Sequence, residues 1–155
     1  MRPVFLAVLA AVLVCSGCAR AQTPAPNPTA FMAQNALSDG VQTLPSGVQY
    51  KIMRSGPAAG AHPTPQDMVT VNYEGKLLTG VVFDSSYTSG KPITFTLGDL
   101  IPGWIDALQQ MRVGDEWTIW VPPSLGYGAR QAGPIPPNSV LVFKLELLGI
   151  GPAAG

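Results

Sequence analysis

Few side chains in this sequence could act as catalysts, and none has an obvious chemical partner. Asp84 stands in VFDSS, directly after two valines and a phenylalanine. A carboxylate placed there could serve as an acid or base, or it could fix a strand end by accepting hydrogen bonds. The one histidine, His62, lies between prolines in AGAHPTPQ, where a lone loop imidazole is ordinarily solvated. No Ser–His–Asp set can be built around it. Cys15 and Cys18 form a C-x-x-C pair, but no cysteine follows them, so a redox or metal reading has no support. No H-E-x-x-H, no metal-spaced Cys/His cluster and no Gly-rich phosphate loop occurs. Hydrolysis, metal catalysis and nucleotide chemistry all lack parts, and neither a cofactor nor a metal is expected. The formal net charge is zero, with no run of like charges, which argues against nucleic acid as a partner.

What remains is aromatic. Tyr73, Phe83, Phe95, Trp104, Trp117, Trp120, Tyr127 and Phe143 come from separate segments. The ordinary reading of such residues is core, and it holds for Trp117. Three placements point instead to a pocket. Trp104 follows Gly103 at the start of a helical pattern, so its ring can stand at the helix end. Tyr127 lies in the Gly/Pro loop SLGYGARQAGPIPPN, where a large ring is exposed unless it lines something. Phe83 is followed at once by the carboxylate of Asp84.

The elements that must position these residues are legible. The chain has 155 residues, room for one domain. Residues 1–21 carry Arg2 and then an unbroken apolar run from Val4 to Val14, followed by small residues. This is a signal-peptide pattern, and the run is shorter than the roughly 20 residues of a membrane span. Two processing sites compete: cleavage after Ala21 in ARA, or lipidation of Cys18 in CSGC, which resembles a bacterial lipobox with Cys15 in place of the usual leucine. Either reading places the protein outside a bacterial cytoplasm, in the periplasm or held at a membrane by a lipid on Cys18; full secretion is the secondary expectation. Residues 22–43 alternate Pro24, Pro26 and Pro28 with small residues and read as an extended, flexible spacer.

From Leu44 onward, strand-like runs alternate with turns. In DMVTVNYEGKL, Val69, Val71 and Tyr73 share one face and Thr70, Asn72 and Glu74 the other. EWTIWV and SVLVFKLELLGI alternate in the same way, and GVQYKIMRSG, GVVFDSS and KPITFTLG read as further strands. Only LIPGWIDALQQMRVGD has helical spacing, with Ile101, Trp104, Ile105, Leu108 and Met111 on one face, Pro102 suited to the first turn and Gly114 to the exit. Five or six antiparallel strands and one amphipathic helix describe a small α+β domain over 44–151, with the helix packed across one face of the sheet.

VTVNYEGKLLTGVVFDSS, LIPGWIDALQQMRVGDEWTIWVPPSLGYGA and IPPNSVLVFKLELL together resemble the FKBP-type peptidyl-prolyl cis-trans isomerases. SGVQYKIMRSG is similar to the opening strand of the exported bacterial members, the macrophage infectivity potentiator group. The resemblance runs from about Leu44 to Ile150, with the motifs in the family's order and spacing. It implies a half-barrel sheet wrapped around a short helix, with a hydrophobic pocket between them. By matching positions, it implies Trp104 as the pocket floor and Tyr73, Phe83, Leu100, Ile101, Ile135 and Phe143 as walls, with Phe95 deeper. Tyr127 would offer its hydroxyl, and Ile101 its backbone N–H, to a substrate carbonyl, with Asp84 at the rim. The implied function is rotation about X–Pro bonds in exported proteins, assisting their folding. The implied partners are proline-containing unfolded or flexible polypeptides, with macrolide inhibitors of the FK506/rapamycin class as possible ligands. A chaperone that binds proline segments with little turnover is the alternative. Two positions depart from the family pattern. Ser89 stands where an Arg often pairs with the Asp, and Ile93 stands where a second pocket aromatic is common.

Overall fold

The computed structural model describes residues 26–152. The signal-peptide and processing-site expectations for residues 1–21 therefore lie outside the described residues. Seven strands form one antiparallel sheet: β1 (Gln42–Thr43), β2 (Gln49–Arg54), β3 (Met68–Leu77), β4 (Val82–Ser85), β5 (Ile93–Thr96), β6 (Glu116–Val121) and β7 (Leu141–Gly151). The spatial order is β1-β2-β6-β7-β3-β4, with β5 also paired to β3. The six strands read from the sequence are β2 to β7, and the two-residue β1 is an addition.

β3 organises the sheet. One edge pairs with β7 along its whole length, from Met68↔Gly151 to Leu77↔Leu141. The other edge is divided: β5 takes Met68 to Val71 and β4 takes Glu74 to Lys76. Asn72 and Tyr73 fall in the gap, where a buried backbone N–H would lack an acceptor. Ser86 supplies one. Its Oγ, fully buried, accepts from the Tyr73 N–H at 2.9 Å.

The sheet wraps around α2 (Pro102–Leu108), as its single apolar stripe requires. Trp104, Ala107 and Leu108 are buried, and Met111 just beyond the helix is fully buried too. They meet the inward residues of the strands, among them Val69, Val71, Ile119, Val121, Leu145 and Leu147. Trp117 is core, as expected: it is buried and stacks on Tyr50 with ring centroids 4.4 Å apart. Asp115 ties the turn after α2 to the end of β2 by accepting from the Gly56 N–H at 2.6 Å and the Arg112 N–H at 2.9 Å.

On the outer face Glu116 and Glu146 are directly opposed across β6 and β7. Like charges in that register repel. Arg54, across from Glu116 on β2, offsets this by reaching Glu146 at 2.5 Å and Glu116 at 3.7 Å, and Lys144 adds a contact to Glu116 at 3.4 Å.

The extended spacer expected over 22–43 is corrected by a second helix, α1 (Pro28–Asn35). Asn27 caps it, its Oδ1 accepting from the Thr29 and Ala30 N–H groups at 3.0 and 3.2 Å, and Pro28 opens the first turn. The proline read as a mark of extended chain is thus a helix starter. Gln49, almost fully buried, fastens α1 to the sheet. Its Nε2 donates to the Met32 carbonyl at 2.7 Å, and its Oε1 accepts from Asn35 Nδ2 at 2.8 Å.

Candidate functional site

A cleft of about 330 Å³ opens between α2 and the sheet. Its floor is Trp104, 5% exposed, held at the third position of α2. Three rings meet this indole edge-on: Tyr73 at 5.1 Å, Phe143 at 5.2 Å and Phe95 at 6.2 Å between centroids, with interplanar angles of 80°, 90° and 88°. This is the favoured geometry of aromatic pairs, in which a positive edge meets a negative face. Phe83 continues the wall, perpendicular to Phe143 at 5.6 Å. Trp104 Nε1 is buried with no hydrogen-bond partner, so the floor carries an unspent donor.

Each ring comes from an element that fixes it. Tyr73 is on β3, held by the Ser86 bond. Phe143 lies opposite Gly75 in the β3–β7 register. A Cβ on Gly75 would come within 2.7 Å of both Phe143 and Phe83, so only glycine lets these two rings close over β3. Leu100 and Ile101 lead into α2 and line the cleft. Ile101 is the residue before the helix, and its carbonyl accepts from the Trp104 and Ile105 N–H groups at 2.9 and 3.2 Å. Its own N–H donates in none of the turn, loop and cap bonds of the described residues.

Tyr127 closes one side of the cleft and is 36% exposed. Its loop is pinned at the base. Gly128 N–H donates to Pro123 O at 2.9 Å, and Asn138 N–H donates to Gly128 O at 2.8 Å. Asn138 adopts φ 56°, a left-handed conformation that asparagine tolerates better than most residues.

Asp84 stands on the rim, where its Oδ2 accepts from the Tyr73 hydroxyl at 2.7 Å. Burial and this bond push the Tyr73 phenol well above its ordinary value, so at neutral pH it is a fixed donor. None of the ion pairs among the described residues involves Asp84. Ser89 turns away, its hydroxyl donating to the Ser86 and Lys91 carbonyls at 2.8 and 3.3 Å.

Nine of the ten residues proposed from sequence therefore meet at one cleft. Ile135 does not: it is buried in the core, bridged to Ala132 by two backbone bonds of 2.9 and 3.0 Å. Asp99 lines the cleft and was missed, because an isolated aspartate in a turn carries no periodic signal. Ile93 lies in a separate depression of about 530 Å³ with Ser85, Thr88 and Ser89, and that depression shares Phe83 and Asp84 with the main cleft. His62 is outside the cleft, where its Nε2 accepts from Arg112 Nε at 3.2 Å.

Comparison with known proteins bears on the family and the fold. Residues 60–148 match the FKBP-type peptidyl-prolyl cis-trans isomerase family, and residues 18–52 match the domain amino terminal to it. The chain is 48% identical over 126 residues to the outer membrane protein MIP of Legionella longbeachae, covering 81% of this chain and 53% of that one. It is 45% identical over 132 residues to the FKBP-type 22 kDa peptidyl-prolyl cis-trans isomerase of Escherichia coli K12, covering 84% and 63%. The crystal structure of FkpA from Escherichia coli superposes with a TM-score of 0.77 at 39% identity, covering 82% of this chain and 59% of that one. The chain thus spans about half the length of the MIP relative, and less than two thirds of the other two.

Proposed function

Since this chain belongs to the FKBP-type peptidyl-prolyl cis-trans isomerase family, we propose that it catalyses rotation about X–Pro peptide bonds in exposed segments of other proteins. The observation that supports this most is the composition of the cleft: a buried indole floor with three rings set edge-on, and no nucleophile–base pair.

Such a site suits a reaction in which no proton moves and no bond to the protein forms. Rotation has to break amide resonance against a barrier of about 18–20 kcal/mol. The planar amide has a large dipole that water solvates well. In the twisted amide the lone pair returns to nitrogen and the dipole shrinks. An aromatic cleft that excludes water therefore disfavours the planar form more than the twisted one. Trp104, Tyr73 and Phe143 would receive the proline ring, with Phe95 beneath and Leu100 and Phe83 at the sides. The free N–H of Ile101 and the hydroxyl of Tyr127 would hold the carbonyl of X in the twisted geometry. Differential stabilisation of about 5–6 kcal/mol corresponds to about 10⁴ in rate.

A protease-coupled proline-peptide assay tests this. The wild type should accelerate the slow phase, and Trp104→Leu should cut kcat/KM at least tenfold while circular dichroism stays native. Peptide binding without acceleration would instead favour a proline-segment-binding chaperone. The same cleft would take macrolides of the FK506/rapamycin class, read as quenching of Trp104 fluorescence.

The site of action would be the bacterial envelope. The apolar leader at Val4 to Val14 and the printed name of the MIP relative support this. No helix among the described residues is long and apolar enough to cross a membrane. Mass spectrometry of the mature N-terminus separates lipidation at Cys18 from cleavage after Ala21.

A further inference from the structure

The cleft is acidic at its rim and uncharged within. Of its lining residues, Asp84 and Asp99 are charged, and both are acidic; no lysine or arginine lines it. Both carboxylates are solvent-exposed, and neither belongs to an ion pair among the described residues. Asp84 is bonded to the Tyr73 hydroxyl, but a neutral phenol satisfies one lone pair without cancelling the charge. Asp99 stands in the turn Leu97–Asp99 that leads into the cleft wall at Leu100 and Ile101, and none of the described side-chain hydrogen bonds involves its carboxylate.

The second depression bears on the same point. Its lining of Val82, Ser85, Thr88, Ser89 and Ile93 is uncharged, and it joins the main cleft through Phe83 and Asp84. A chain whose proline occupies the cleft can continue over Asp84 into this hollow. Residues flanking the proline then pass one carboxylate on that side, with Asp99 supplying a second on the cleft itself.

We propose that the site selects X–Pro bonds with a lysine or arginine within one residue of the proline, read by Asp84 and Asp99. This rests on the isomerase reading of the cleft and adds the substrate's charge class to it. Exposed charges at a rim act mainly on encounter and are strongly screened by salt. Exposed pairs of this kind are individually weak, so the two together give a preference of about fivefold at low ionic strength.

Two peptide series test the proposal, one varying the residue before proline and one the residue after it, each with Lys, Leu and Glu versions. Protease-free kinetics give kcat/KM, and a binding titration of the same peptides gives Kd. In at least one series the Lys peptide should exceed the Glu peptide about fivefold at 10 mM salt, and the ratio should approach one at 1 M. The ratio should fall in Asp99→Asn and approach one in Asp84→Asn/Asp99→Asn. Equal values for Lys and Glu in both series, or a ratio that survives in the double variant, would overturn the proposal. If the Leu peptides are not isomerised at all, the isomerase reading fails instead, while the titration still reports the charge preference.

Discussion

Gly75→Ala is the substitution that most directly probes how the cleft wall is built. The added Cβ would stand 2.7 Å from Phe143 Cε1 and 2.7 Å from Phe83 Cε2, whereas ordinary contact begins at 3.4 Å. Both rings must therefore withdraw by the difference, about 0.7 Å. Neither can do so alone. Phe143 is buried and lies edge-on to Trp104, so its movement disturbs the floor. Overpacking of this kind costs about 1–3 kcal/mol. The lower entropy of the unfolded alanine chain returns about 0.4–1 kcal/mol. The net loss is about 1–2 kcal/mol, or a fall in Tm of roughly 5–10 °C for a domain of this size. Wall rings displaced by most of an ångström should also reduce kcat/KM by tens of fold, since misplacement by 1 Å can cost about a hundredfold. Gly80→Ala is the matched control. Gly80 has φ 87° and nothing within 4 Å of its Cβ position, so alanine there strains the turn without touching the cleft. It should lower Tm while kcat/KM stays within twofold of wild type. If Gly75→Ala behaves like Gly80→Ala in the peptide assay, the wall rings are not locked against β3 and the reasoning is wrong.

Three further outcomes follow from bonds described above. Ser86→Ala leaves the buried Tyr73 N–H without its acceptor and should cost about 1–3 kcal/mol in urea unfolding; a change below 0.5 kcal/mol would show that another group satisfies it. The Tyr73 phenol titrates higher in the folded protein than its ordinary value of 10.0, so its contribution to stability is complete below pH 10 and is lost as pH rises above it. Tyr73→Phe should therefore remove part of the alkaline loss of stability, measured as Tm against pH from 8 to 11.5, and an unchanged slope would refute this. Glu146 is held below its ordinary value of 4.5, first by the Asn72 hydrogen bond and then by Arg54, so its contribution is present above pH 4.5 and is lost as pH falls below it. Arg54→Met should lower stability by about 1 kcal/mol at pH 7 and flatten the acid limb, because Glu116 and Glu146 then face each other without a bridging cation. A parallel shift at all pH values would point to packing alone.

Much of this was legible in the sequence because strand alternation and helix spacing are local signals. Val69, Val71 and Tyr73 fall on the inner face as the period of two requires, and of the stripe read over the helix Trp104, Leu108 and Met111 are buried while Ile101 and Ile105 are half-buried. The cleft residues followed from matched motifs, since most lie within or beside regular elements. What escaped was long-range. Gly75 reads as an unremarkable strand residue until β7 and β4 are laid beside it. Ser86 reads as a second turn serine until the edge of β3 is seen to be divided between two partners. Ile135 was assigned to the wall by motif position; it is buried in the same cluster as Trp104 and Phe143 but does not line the cleft. α1 was missed because three alternating prolines outweighed a cap-and-proline start at Asn27 and Pro28.

The pairing of β3 with β7 also makes the fold depend on its last strand. Met68 meets Gly151 and Leu77 meets Leu141, while β2 must wait for β6. A chain that ends before residue 141 lacks the strand that carries Phe143 and pairs along β3. It can form local turns and the hairpin of β3 with β4, but no cleft. A fold of this topology assembles late, as one cooperative unit, because distant pairings have to be closed before they are rewarded. Chains truncated before β7 should therefore fail to form the cleft, however much of its sequence they carry.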